Sequence, residues 1–253
     1  MSETQETFLS HLIELRTRLV HALLAFLVVF IPCAMWSGEL YDILAWPMMR
    51  ALPEGTKMIA TGVVTPFFIP IKVAAVVAFM IALPYLLYQA WAFVAPGLYS
   101  HEKKLVMPLV VASTVLFLLG VAFCYFFVFG VVFDTIYKLA PKSISVAPDI
   151  ENYVSFALGM FVAFGVTFEV PVVVVVLVRA GLVTVEKLRE IRPYVIVGAF
   201  VLGAIFTPPD VVSQFMLAIP LWILYELGIV VASMMGKPVP REAKDASQEV
   251  TGA

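Results

Sequence analysis

Charge is scarce in this chain: Asp, Glu, Lys and Arg make up 13% of its 253 residues, against 62% hydrophobic ones. No soluble domain of this size needs so much apolar surface. Cysteine is nearly absent too. Cys33 and Cys124 each lie within an apolar run, too few for a disulfide framework, and are expected to act as small buried or lipid-facing hydrophobes. The three histidines, His11, His21 and His101, are scattered. Neither G-x-x-x-x-G-K-[ST] nor H-E-x-x-H occurs, which excludes P-loop nucleotide hydrolysis and the zinc-protease helix. Ser113, Ser155 and Ser213 have no histidine at membrane depth to act as a base. The expectation is a protein that is not an enzyme, with no cofactor, no metal and no nucleic-acid partner.

What the chain does contain is long charge-free runs, and about 20 apolar residues suffice to cross the hydrocarbon core as a helix. Six spans are predicted: Leu19–Trp36, Val73–Phe93, Leu105–Phe133, Tyr153–Val178, Pro193–Phe206 and Val211–Met235. The last two read as a hairpin broken at Pro208-Pro209-Asp210, and the fifth is short. The fold class is thus an all-α membrane protein. Prolines 84, 108, 171 and 220 favour a curved, concave helical wall over a straight bundle. With the N-terminus inside, 11 of the 16 basic residues fall on the cytoplasmic side, so the positive-inside rule places both termini there. The domain reading is a cytoplasmic amphipathic segment over 1–18, a six-helix membrane domain over 19–236 and a disordered cytoplasmic tail over 237–253. Within the outer segment 37–71, Leu40, Ile43, Leu44 and Met48 fall near helical spacing and predict a short helix on the membrane interface.

A few polar residues stand out. Glu169 is the only charged residue between Asn152 and Val178. An acid at that depth costs roughly 2.5–3.5 kcal/mol and marks a partner, a cavity or another subunit. Pro171 should loosen the helix about a turn earlier. In the first segment Glu14 and Arg18 stand at i, i+4 in the favourable order, a spacing that a solvated surface ion pair also explains. Glu102, at the predicted cytoplasmic start of the third span, suits the helix macrodipole. It could equally join Glu14 in presenting two carboxylates to a basic ligand, since a carboxylate receives a guanidinium through two bonds. Asp210 suits a helix N-cap after the paired prolines, and Gln214 and Glu226 add polarity to the sixth span. From these residues alone, a receptor for a basic ligand and a proton-coupled small-molecule transporter using Glu169 are both open.

Six stretches carry a resemblance. H-L-I-E-L-R-T-R-L, M-I-A-T-G-V-V-T-P-F-F-I-P-I-K, W-A-F-V-A-P-G-L-Y-S-H-E-K-K, F-G-V-T-F-E-V-P, R-P-Y-V-I-V-G-A-F and F-T-P-P-D-V-V-S-Q-F-M-L-A-I-P-L-W-I-L-Y-E occur in that order. Together they resemble the TatC family, the large subunit of the bacterial twin-arginine protein translocase, over residues 5–228. The resemblance implies six helices in a glove-like wall, with both termini cytoplasmic, in the inner membrane. It implies a receptor and assembly core for signal peptides with paired arginines, on substrates exported folded by the proton-motive force. By motif position, Glu14 and Glu102 correspond to the carboxylates that receive the arginines, with Arg16, Leu19 and Phe93 shaping the same face. Glu169, with Gln214, corresponds to an intramembrane polar site where the single-span partners TatA and TatB dock. Pro47, Tyr125 and Asp210 match recurrent positions with structural or gating roles. The resemblance also implies several copies per receptor complex.

Overall fold

The computed structural model describes residues 3–53, 55–98, 106–139, 141, 147–207 and 211–235. Glu102, Asp210 and the tail from 237 lie outside the described residues. Most of the rest is helical: α1 Glu3–Met35, α2 Ser37–Ala51, α3 Thr65–Leu98, α4 Val106–Phe123, α5 Phe129–Leu139, α6 Ile150–Phe168, α7 Val170–Arg179, α8 Val185–Glu190, α9 Arg192–Phe206 and α10 Val211–Met234. A π-helical turn, Cys124–Val128, joins α4 to α5. Among the described residues, five stretches are long and apolar enough to cross a membrane: Leu12–Met35, Thr65–Phe93, Met107–Lys138, Ile150–Arg179 and Val211–Met234. The fifth expected span is α9, whose 15 residues reach roughly 22 Å at 1.5 Å per residue. That falls short of a hydrocarbon core about 30 Å thick. The helices form two compact units that divide between Val162 and Ala163, inside α6.

In the first unit α1 runs unbroken from Glu3, so the amphipathic segment and the first span are one helix. α1 packs on α3, where Ala74 and Ala78 are fully buried beside Cys33, Phe26 and Phe30. Small residues let helix backbones approach closely, the usual basis of contact where lipid is as apolar as leucine. Both cysteines are buried and free. The expected outer helix is α2, but its buried residues, Leu44, Ala45, Pro47 and Met48, face protein: it contacts α3 and α5. A cluster of aromatic rings fills the neighbourhood of the π turn, with Phe129 5.4 Å from Phe133 and from Phe161, and Phe133 5.8 Å from Tyr153.

The loop before α3 is pinned to the start of α6. Ile59 and Asp149 form a single parallel bridge. The Asp149 carboxylate accepts from Thr61 Oγ1 at 2.7 Å and from the backbone N–H groups of Thr61, Glu151 and Asn152. It thereby caps α6 and holds the loop with one side chain. The Thr61 hydroxyl first, then the Asn152 N–H, hold this carboxyl below the usual carboxylate range, so the clasp is charged at neutral pH.

In the second unit α10 packs against α7 and α9. α7 ends in a Schellman motif: Gly181 takes φ +69°, Leu182 N–H donates to Leu177 O and Gly181 N–H to Val178 O. Gly228 on α10 lies so close to α7 that a Cβ there would sit 2.9 Å from the Cα of Pro171 and 3.0 Å from Val174 Cβ. Because the obstacle is backbone, relief needs a helix shift. Gly228→Leu is expected to cost about 1–3 kcal/mol or more, read as a lower melting midpoint in detergent, whereas Gly198→Leu on α9, with nothing within 4 Å of its Cβ position, should leave it nearly unchanged.

Candidate functional site

Glu14 and Arg18 occupy successive turns of α1, and the structure joins them. Arg18 Nε donates to Glu14 Oε1 at 2.9 Å, and Nη2 donates to the same oxygen at 2.6 Å. The third guanidinium nitrogen, Nη1, donates to Gln89 Oε1 on α3 at 3.3 Å. The pair is thus more than the surface contact its spacing suggests, because a second helix fixes the guanidinium. Both side chains stay accessible, 25% exposed for Arg18 and 38% for Glu14. Phe93 is half-buried one helical turn beyond Gln89 on α3. Arg16 and Leu19 are exposed on α1, Leu19 among a row of exposed aliphatics that includes Val20, Leu23 and Leu24. Glu14, Arg18, Gln89 and Phe93 therefore gather where α1 meets α3. Glu102, the second expected carboxylate, lies outside the described residues.

Glu169 stands at a break. α6 ends at Phe168 and α7 begins at Val170, with Pro171 in the first turn of α7. Proline has no N–H to bond the carbonyl of Thr167, four residues back, so the helical ladder lapses where the sequence predicts. Glu169 N–H turns instead to Val166 O at 3.1 Å. The side chain is half-buried, with Oε1 shielded from the surface. Gln214 is engaged across the hairpin: its Nε2 donates to Phe200 O at 2.8 Å, and its Cγ fills the space that a Cβ on Gly203 would need. It staples α9 to α10. Glu226, which interrupts the sixth span, pairs with Arg192 at 2.5 Å, and Tyr225 beside it donates to Leu188 O at 2.8 Å.

Pro47 and Tyr125 turn out to share one task. Without an N–H at Pro47, the carbonyl of Ile43 has no helical donor, and Tyr125 supplies one, its hydroxyl 2.6 Å from Ile43 O. Tyr125 belongs to the π turn, a wide turn that re-aims side chains and recurs at functional sites. Two tyrosines that the sequence reading passed over grip the same helix, Tyr153 donating to Leu44 O at 2.5 Å and Tyr137 contacting Met48 Sδ at 3.0 Å. Their only sequence signal is a tyrosine near the outer end of a span, which is common. Among the described residues no group of three or more His, Cys, Asp or Glu could hold a metal.

The sequence and the fold both match known proteins. Residues 10–220 match the family model described as Sec-independent protein translocase protein (TatC). The chain is 51% identical over 246 residues to the translocase protein TatC of Halothiobacillus neapolitanus, covering 97% of this chain and 67% of that one. It is 47% identical over 227 residues to that of Escherichia coli K12, covering 90% and 88%. A crystal structure of a twin-arginine translocase receptor, TatC, in DDM superposes with a TM-score of 0.78 at 41% identity, covering 88% of this chain and 99% of that one.

Proposed function

This chain belongs to the TatC family of Sec-independent protein translocases, and from that premise we propose that the meeting point of α1 and α3 is the face on which it receives paired-arginine signal peptides. It is a multi-pass, all-helical membrane protein and a translocase component, a twin-arginine translocase receptor and not an enzyme. One observation carries the site assignment: the accessible Glu14 carboxylate already accepts two N–H bonds from a guanidinium, that of Arg18, so its geometry suits the group that a signal arginine would bring. Glu102 supplies the second carboxylate. Arg16, Leu19 and Phe93 border the face, the two apolar residues meeting the apolar part of the peptide.

The same reading extends to topology and partners. Six crossings, α9 being the shortened one, put both termini in the cytoplasm of the inner membrane, in keeping with the basic-residue bias; the cupped wall expected of the family is part of the proposal. Glu169, at the helix break, is where the single-span subunits TatA and TatB dock a polar group, since a carboxyl at that depth rewards a hydrogen-bond donor. Gln214 steadies the α9–α10 hairpin through its bond to Phe200. Several copies assemble into the receptor, and the proton-motive force, about 2.3 kcal/mol per charge per 100 mV, drives export of folded substrates.

The test is the affinity of a twin-arginine signal peptide for the protein in nanodiscs, beside a twin-lysine version. Wild type is expected to prefer arginine, and the Glu14→Ala, Glu102→Ala double variant to lose both the preference and most of the affinity. Equal binding of the two peptides, indifferent to both substitutions, would overturn the assignment and reopen proton-coupled transport through Glu169.

A further inference from the structure

We propose that Arg18 is an internal competitor of the signal peptide, holding the Glu14 carboxylate in the resting receptor and so lowering the site's affinity for any cationic peptide that lacks further contacts. This rests on the assignment of Glu14 as a receiving carboxylate. An ordinary i, i+4 pair on a helix surface is a loose contact in which both side chains also sample solvent. Here the guanidinium is held from two sides, with Nε and Nη2 on Glu14 Oε1 and Nη1 on Gln89 of α3. Gln89 is itself nearly buried, at 9% exposure, so it is a fixed acceptor that keeps the guanidinium aimed at Glu14. The carboxylate is thus occupied, yet accessible enough to exchange partners.

The cost of displacing Arg18 is common to the two candidate cations, which differ in what they give back. An incoming guanidinium offers Glu14 what Arg18 offers, a planar pair of N–H donors, so replacing one by the other costs little. The contacts of the rest of the peptide then decide binding. An ammonium is a compact, strongly hydrated charge without that fork, so it must displace a two-donor cation while giving less in return. The displaced Arg18 is not stranded, because Nη1 keeps its acceptor on Gln89 and the tie between α1 and α3 survives. Arginine selectivity on this account comes from direct recognition by the carboxylate, while the resting occupant sets how tightly any cation must bind to enter.

The experiment measures the affinities of twin-arginine and twin-lysine peptides for the full chain in nanodiscs, using wild type, Arg18→Gln, Arg18→Lys and Glu14→Ala. Removing the competitor should tighten the arginine peptide by about twofold to fivefold, the worth of a partly exposed ion pair. The lysine peptide should tighten by the same factor or less, because the cost of displacing Arg18 is common to both, so the arginine-to-lysine ratio does not fall. Arg18→Lys, a weaker occupant, should tighten the arginine peptide by an intermediate amount. If Arg18→Gln weakens binding as Glu14→Ala does, Arg18 is a positioning residue and the competition is overturned. Unchanged affinities in Arg18→Gln alongside a loss in Glu14→Ala overturn it as well, leaving the Glu14 assignment intact. Binding indifferent to Glu14→Ala would place the failure in that assignment instead. Should Arg18→Gln not insert, the affinity of the arginine peptide for Arg18→Lys decides alone: tightening supports the competition and no change overturns it.

Discussion

Exchanging both Glu14 and Glu102 for lysine is expected to abolish binding of a twin-arginine signal peptide while the protein still inserts. A hydrogen bond to a charged group contributes about 1.5–3 kcal/mol. Glu14 is 38% exposed, so the lower end of that range applies to it, about tenfold in affinity. Reversal adds repulsion to this loss: two like charges about 4 Å apart near a protein surface oppose each other by up to about 4 kcal/mol before salt screening. Two such sites together should push affinity down by a factor on the order of a thousand or more. The fold should tolerate the change at Glu14. A lysine there meets Arg18 as a like-charged i, i+4 pair, a penalty of a few tenths of a kcal/mol, small against the packing of α1 on α3. Peptide binding by fluorescence anisotropy, beside carbonate extraction as the check on insertion, separates the two effects. Unaltered binding in an inserted protein would remove Glu14 and Glu102 from the site.

Tyr125→Phe should destabilise the wild-type background by about 1–2 kcal/mol and the Pro47→Ala background by much less. The tyrosine hydroxyl serves the Ile43 carbonyl, which lacks a helical donor because residue 47 is proline. Deleting the hydroxyl leaves that carbonyl without a protein partner, at the cost of an unmade bond. Alanine at 47 restores an N–H in helical register, so the hydroxyl becomes redundant. The double-mutant cycle should therefore return a coupling of about 1 kcal/mol, within the range for residues that share a partner. Tyr153→Phe is the comparison. Its hydroxyl bonds Leu44 O, whose helical donor, Met48, has an N–H, so its coupling to Pro47 should be smaller. Melting midpoints in detergent provide the measurement, and strict additivity of Tyr125→Phe with Pro47→Ala would show that the hydroxyl does not stand in for the missing N–H. The same pair assayed for export would tell whether the grip on α2 matters to transport.

Much of the candidate site could be read in the chain, though unevenly. The position of Glu169 at a helix break follows from Pro171 two residues on, because a missing N–H acts within one turn. The pairing of Glu14 with Arg18 follows from their spacing. That Arg18 is also held by Gln89, 71 residues away, does not, and this second bond changes the pair from a surface contact into a tie between two helices. Gln214 reads in sequence as a polar residue facing a partner. In the structure its amide is bonded across the α9–α10 hairpin to Phe200, because the missing side chain of Gly203 leaves room for it. For α2 the periodicity marked a helix, but apolar residues spaced to suit a membrane surface suit a neighbouring helix equally well.

By itself the sequence determined whatever backbone chemistry and local composition decide: which runs are apolar enough to span, the shortness of α9, the break at Glu169 and the membership of the TatC family carried by its motifs. These depend on residues within a turn or two of one another, or on composition summed along a run, and lipid leaves the backbone little choice but helix. Only the tertiary structure decided which polar groups are already engaged. Arg18 with Gln89, Tyr125 with Ile43 and Arg192 with Glu226 join residues 71, 82 and 34 positions apart. Such partners are chosen by how the helices pack, and helix packing in a membrane turns on side-chain size and close approach along whole faces, which periodicity alone does not encode.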